Sequence, residues 1–269
     1  MTIRPKLNPP TRGWQADLPE QNDIPNEEPS LDGYAFNHLD DIYLELPRSF
    51  VGIRGIFLLI NIFFVPMLVE STIDVFDFDG DWLMLVVIIV IDFICIWGVI
   101  LTLRLDISPP RDLPLRFNRL RRKMYAYEID VVWWTPFIRW PIRAVAYDWD
   151  DVRAEAWQLQ GAINGGHTMK WGVVLSIVKS GTNEVIDRFQ LGAKGDGEAA
   201  WAYICTYMQE GPAALPPPDD LPFDHDNKRT LNIAYLLAPK VKWPAEMDLE
   251  SRTAPTDLVC HEPVMASKE

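Results

Sequence analysis

Cysteine is scarce in this 269-residue sequence, and Cys95, Cys205 and Cys260 lie far apart with no C-x-x-C spacing, so neither a disulfide framework nor a zinc site is expected. Histidine is equally sparse: His38, His167, His225 and His261 show none of the spacings that let imidazoles converge on a metal. Also missing are G-x-S-x-G, H-E-x-x-H, a phosphate-cradling loop and a dinucleotide fingerprint. The glycine-rich stretch 161–167, GAINGGH, lacks the Lys and Ser/Thr of a phosphate loop and reads as a connection between strands. Cations are the minority, 25 Lys and Arg against 38 Asp and Glu, and the formal charge of −13 disfavours nucleic acid, whose phosphates need clustered positive charge. Residues 1–10 lack the apolar core of a signal peptide. No catalytic residue, cofactor or metal is expected, and the chain reads as non-enzymatic.

What the sequence does have is two long apolar runs, residues 50–69 and 82–103. Each is long enough to cross a hydrocarbon core of roughly 30 Å at about 1.5 Å per residue. The connecting loop, 70–81, holds Glu70, Asp74, Asp77, Asp79 and Asp81 but no Lys or Arg, whereas Arg104 and a basic run of Arg111, Arg116, Arg119, Arg121, Arg122 and Lys123 follow the second run. The positive-inside rule then puts both termini in the cytoplasm. Asp92, central in the second run, costs about 2.5–3.5 kcal/mol on the insertion scale, which its apolar neighbours outweigh. If the outer ends 50 and 103 lie level, Asn61 and Asp92 meet at one depth as an intramembrane polar pair. That pair reads either as an interhelical hydrogen bond worth about 0.6–2 kcal/mol or as a proton-sensitive site. Arg54 is assigned to anchoring at the interface, and Pro66 to a kink near the outer end of the first helix.

After Pro109 and Pro110 the pattern changes to short alternating runs at 123–132, 141–148, 152–159, 171–178 and 184–191, which predict an antiparallel sheet. The last two read as a hairpin turning at 180–183. A helix follows, with Asp196 as N-cap, Gly211 as C-terminal cap, and Trp201, Ile204, Cys205 and Met208 on one core-facing stripe. Strands followed by one amphipathic helix predict, at 123–211, a small α+β split barrel of pleckstrin-homology-like (PH-like) order. Residues 1–49, acidic and proline-bearing, are expected to be a less ordered arm, and 104–122 a basic juxtamembrane segment. Residues 212–269 are expected to hold a Pro-rich linker, a short helix near 227–238 with Leu231, Ala234, Tyr235 and Ala238 on one face, and disorder beyond Pro244. That short helix either docks on the domain or lies on the membrane.

The basic run 111–123 has three readings: holding the hairpin's orientation, contacting anionic lipid, or docking an acidic partner. Asp148, Asp150 and Asp151 read as a solvated strand edge rather than a cation site. The run PLRFNRLRRKMYAY at 114–127, followed by AYDWDDVRAEAW at 146–157, resembles a family of uncharacterised proteobacterial two-span proteins with a cytoplasmic domain. Arg116, Phe117, Asn118, Arg119, Arg122, Lys123 and Tyr125 carry the first element, and Trp149, Val152 and Ala154 the second. The likeness covers roughly 45–212; members look like companions of type VI secretion effector genes. It implies a multi-pass bacterial inner-membrane protein acting as an immunity or accessory factor, with lipid and a protein partner, possible oligomers and no nucleic acid. The competing expectation is a membrane sensor acting through Asp92 and the basic run.

Overall fold

The computed structural model describes residues 4–31, 34–48, 54–74, 80–163, 166–191, 197–217, 222 and 230–255. The expected run start at Phe50, the loop carboxylates Asp77 and Asp79, the N-cap Asp196, most of the linker beyond 217 and the tail beyond 255 lie outside them.

The two apolar runs form α1 (Ile56–Asp74) and α2 (Trp82–Ile107), two helices long and apolar enough to cross a membrane. They pack on each other, and leucine, isoleucine, valine and phenylalanine side chains from Phe57 to Ile96 face outward rather than into a protein core. Asp81 caps α2, its carboxylate accepting from the Leu83 N–H. The cap of α1 comes from the other helix: Asp106, buried near the end of α2, accepts from the Leu58 N–H at 2.7 Å. A carboxylate there also complements the positive end of the α1 dipole.

Both helices run past the ends that apolarity alone suggested, α1 into Glu70–Asp74 and α2 into Arg104–Ile107. The register of the hairpin changes accordingly. Asn61 donates to Thr102 Oγ1 at 2.9 Å and Asp92 accepts from Ser71 at 3.1 Å, so the expected Asn61–Asp92 pair does not form. Each residue meets a partner ten positions further along the opposite helix. The level-ends argument failed because a helix ends where its backbone is capped, not where its hydrophobicity fades.

Past the hairpin the chain builds two antiparallel sheets. The five-stranded sheet runs β2 (His38–Leu39), β3 (Tyr43–Leu46), β4 (Leu115–Asn118), β5 (Lys123–Ile129), β6 (Ile142–Asp148). The four-stranded sheet runs β1 (Trp14–Asp17), β7 (Val152–Ile163), β8 (Gly166–Val178), β9 (Val185–Leu191). The five alternating runs thus appear as β5 to β9, and Lys179 and Thr182 close the expected β8–β9 turn. Between the sheets, α3 (Gly197–Glu210) inserts the expected stripe of Trp201, Ile204, Cys205 and Met208 into the core. Gly197 permits this approach: a Cβ there would stand 2.7 Å from Val173 Cγ2. Burial pushes the Cys205 thiol well above its ordinary range, so it is a packing residue.

Two expectations about the chain ends are overturned. Residues 1–49 are not a loose arm: they supply β1, β2 and β3, and Leu18, Leu31, Tyr34, Phe36, Leu44 and Leu46 enter the shared core. The domain therefore starts before the hairpin, which is an insertion between two hydrogen-bonded neighbours, with Leu46 opposite Leu115. Beyond Pro244 the chain forms α5 (Ala245–Arg252), packed on β4. Between them α4 (Ile233–Leu237) is shorter than expected and leaves Leu231 outside it, 98% exposed, while Ala234 and Tyr235 are buried against the hairpin end. Composition misled in each case because the stabilising partners lie far away in sequence.

Candidate functional site

The basic run is where most of the charged chemistry gathers. β4 places Arg116 beneath α5, where it is 2% exposed and ion-paired with both Glu45 of β3 and Asp248 of α5. Its guanidinium also donates to Ser251 Oγ at 2.7 Å and stacks over Trp243, 4.7 Å from the ring centroid. Such a fork can satisfy several acceptors at once, which an ammonium could not do in this geometry. Asn118, fully buried, donates to the Ser251 and Thr253 carbonyls, and Arg121 to those of Thr253 and Ala254. Lys123 pairs with Glu250 at 2.8 Å, and Arg119 reaches the Glu210 carbonyl at the end of α3. Arg122 pairs with Asp150 on the surface, and Arg111 donates to Ala238 O and Leu236 O.

These cations are therefore spent on the protein's own carbonyls and carboxylates, chiefly to seat α4, α5 and the segment between them. Arg116 is sequestered in this way, whereas Arg111, Arg119, Arg121, Arg122 and Lys123 stay partly exposed. Phe117, Asn118, Tyr125, Trp149, Val152 and Ala154, the motif residues, are all buried, so this pattern marks the core where β4, β5 and β7 meet.

The stems of the hairpin are tied in the same manner. Arg48, before α1, donates to the Leu113 and Tyr127 carbonyls and pairs with Glu128 at 2.8 Å. Asp112, after α2, accepts from the Arg48 N–H and from Asn37. Arg54, expected to anchor at a lipid interface, donates instead to the Pro109 and Pro110 carbonyls.

The sheets are joined at one corner by Asp187 of β9 with Arg143 and Tyr147 of β6, although β6 and β9 belong to different sheets. Burial alone would raise the Asp187 carboxyl, but hydrogen bonds from Arg143, Tyr147 and the Arg188 N–H hold it below the ordinary value of 3.8. Burial, reinforced by the bond to Asp187, pushes the Tyr147 phenol up to about 12, so it stays a donor at neutral pH. A carboxyl with a folded value below its unfolded one stabilises the fold above the unfolded value and ceases to do so as pH falls through the folded value. Acid unfolding of the wild type should thus be steeper below pH 3.8 than that of Asp187→Asn, followed by tryptophan fluorescence; superimposable acid limbs would show the link to be silent.

One feature escaped the sequence reading. In the β7–β8 pair the inner face is read through Ala154↔Leu175 and Ala156↔Val173, and the same alternation continues outward as Gln158↔Trp171 and Gln160↔Met169. Within the domain α3 covers that face; beyond Val173, among the described residues, neither α3 nor β9 follows, and Trp171 is 65% exposed. The ribbon thus presents Trp171 and Met169 opposite two glutamines on a face that no layer of the described residues covers. Its signal in the sequence was alternation that extends past the length one sheet requires.

No curated protein and no solved structure matches this chain. A family model described as a family of unknown function, DUF6708, matches residues 92–255, from the middle of α2 through α5, and the chain accordingly belongs to the DUF6708 family.

Proposed function

We propose that this protein is a non-catalytic, membrane-anchored binding protein of the bacterial inner membrane, with α1 and α2 spanning the bilayer and the α+β domain, of PH-like order, on the cytoplasmic side. The outward apolar faces of both helices support the spans. The β3–β4 ladder at the base of the hairpin keeps the entry to α1 beside the exit from α2, which supports a domain held on one side of the bilayer. The basic segment after α2, set against an acidic loop between the helices, supports a cytoplasmic location for that side. Asp92, bonded to Ser71 between the two helices, serves as interhelical glue rather than as a proton sensor.

The observation that carries the binding role is the uncovered face of the β7–β8 ribbon, Trp171 and Met169. Tryptophan in such a position is the residue type that most often dominates an interface. The resemblance to companions of type VI effector genes makes a secreted toxin the partner class, and immunity or an accessory role the function. Purification in detergent of the full chain with the effector encoded beside it tests this. Trp171→Glu should weaken effector capture by roughly thirty-fold or more, the scale of a 2 kcal/mol hot spot, with an unchanged melting profile. Equal capture by Trp171→Glu would remove the ribbon from the interface. Absence of any captured effector, with unaltered toxin sensitivity on deletion, would overturn the immunity reading.

A further inference from the structure

The connection between β5 and β6, residues 130–141, reads DVVWWTPFIRWP and is far longer than a strand turn requires. It is an ordered loop. Trp140 is buried at its base and donates from Nε1 to the Val132 carbonyl at 3.0 Å. Turns close from Thr135 N–H to Val132 O and from Ile138 N–H to Thr135 O, and Asp130 N–H meets Pro141 O. The remaining large apolar side chains are mostly uncovered: Trp133, Trp134, Phe137 and Ile138 are each 58–68% exposed. An exposed aromatic and aliphatic cluster of this kind on a rigid loop calls for an occupant.

The occupant is indicated by where the loop is fastened. Arg104, in the last turn of α2, donates to the Pro136 and Ile138 carbonyls and lies over the Trp140 ring at 5.2 Å. Further up the same helix, Trp97 meets Trp133 edge to face at 6.4 Å between centroids. The loop thus follows α2 from Arg104 to Trp97, a stretch of about 10 Å at 1.5 Å per residue. With 26 residues, α2 is about 39 Å long, and it exceeds a hydrocarbon core of about 30 Å by roughly the length that the loop accompanies. Against the same end of α2 stands α4, whose Leu236 and Leu237 are also exposed. Asn232 holds α4 there by donating to the Arg54 carbonyl at 2.7 Å.

From this continuity with α2 we infer that the 130–141 loop, with α4 as a second shoulder, is immersed in the headgroup and upper acyl region of the cytoplasmic leaflet, fixing how the domain sits on the bilayer. The inference rests on the spans proposed above. Tryptophan rings favour that layer, and a depth of about 5–10 Å is usual for interfacial elements. Attachment is already supplied by the hairpin, so the loop contributes orientation: it turns a tethered domain into one with a fixed face toward the lipid and directs the β7–β8 ribbon.

The test uses the full chain reconstituted in phosphatidylethanolamine–phosphatidylglycerol vesicles, with Cys95, Cys205 and Cys260 replaced by alanine. A polarity-sensitive fluorophore is placed at Phe137→Cys, at Ile138→Cys as a second loop site, at Ile91→Cys in the middle of α2, and at Ile24→Cys, a position 89% exposed on the N-terminal segment. Emission from both loop sites should be blue-shifted relative to Ile24→Cys, and lipids brominated high on the acyl chain should quench it by at least half without affecting Ile24→Cys. Quenching at Ile91→Cys but at neither loop site would overturn the inference and leave the spans intact. Blue-shifted loop emission that brominated lipid does not quench would place the loop against protein, a second copy included, and would also overturn it. Failure to quench Ile91→Cys would overturn the spans and the inference with them.

Discussion

Replacing Arg116 by alanine should release the C-terminal helix and cost about 3–5 kcal/mol, because removal of one partner from a buried ion pair leaves the other charge uncompensated. Here the stranded group is Glu45, whose side chain is 13% exposed, while among the described residues Asp248 keeps only Arg252 as an ion-pair partner and Ser251 Oγ keeps only its bond to the Asp248 carbonyl. Loss of the stacking surface for Trp243 adds to the effect. Urea titration of the detergent-solubilised full chain should report the lost stability, and limited proteolysis should show cleavage within 245–252 that wild type resists. Arg116→Lys keeps the charge but not the planar fork, so its loss should fall between the two. If α5 remained protected in Arg116→Ala and stability moved by less than about 1 kcal/mol, the ion cluster would not be what seats the helix.

A loss of comparable size, about 3–5 kcal/mol, is expected of Trp149→Ala. This residue is fully buried and stands between Phe117 of the five-stranded sheet and Trp201 of α3, with ring centroids 5.9 and 5.5 Å away. Its removal leaves a cavity at the point where both sheets and the helix converge. Among the described residues its indole N–H meets no acceptor, so Trp149→Phe strands no hydrogen-bond partner and should cost much less than the alanine variant. Calorimetric or urea midpoints for the two substitutions check the order. Equal losses would mean that a phenyl ring recovers none of the packing the indole makes with Phe117 and Trp201.

The hairpin helices, strands β5 to β9 and helix α3 were legible in the sequence because each is specified by a local pattern: long apolar runs, period-two alternation, and a stripe at helical spacing closed by Gly211. The same local view missed β1 to β3. Leu18, Leu31, Tyr34 and Phe36 are isolated apolar residues among prolines and carboxylates, and nothing nearby in sequence reveals that their partners are β7 and α3. It missed one role of the arginines for a related reason. Topogenic charge and structural charge look alike in a sequence, and only the fold shows that Asn118, Arg116 and Arg121 face the carbonyls and carboxylates of residues some 130 positions later. The loop 130–141 was passed over because it lacks the periodicity of either a helix or a strand, although its density of tryptophan was visible throughout.

The placement of the hairpin between β3 and β4 also constrains biogenesis. A ribosome delivers one strand of that pair before the two helices and the other after them, so the ladder from Tyr43 to Leu46 cannot close until the whole stretch 47–114 has been synthesised. Synthesis of the last 20 or so described residues, which carry Asp248 and Ser251, must follow before Arg116 is neutralised. Until then the growing chain carries an open strand edge, an arginine short of its buried partners and exposed apolar helices together, features that make a folding intermediate prone to aggregation. Completion of the domain is in this way made conditional on synthesis of the apolar hairpin inserted within it.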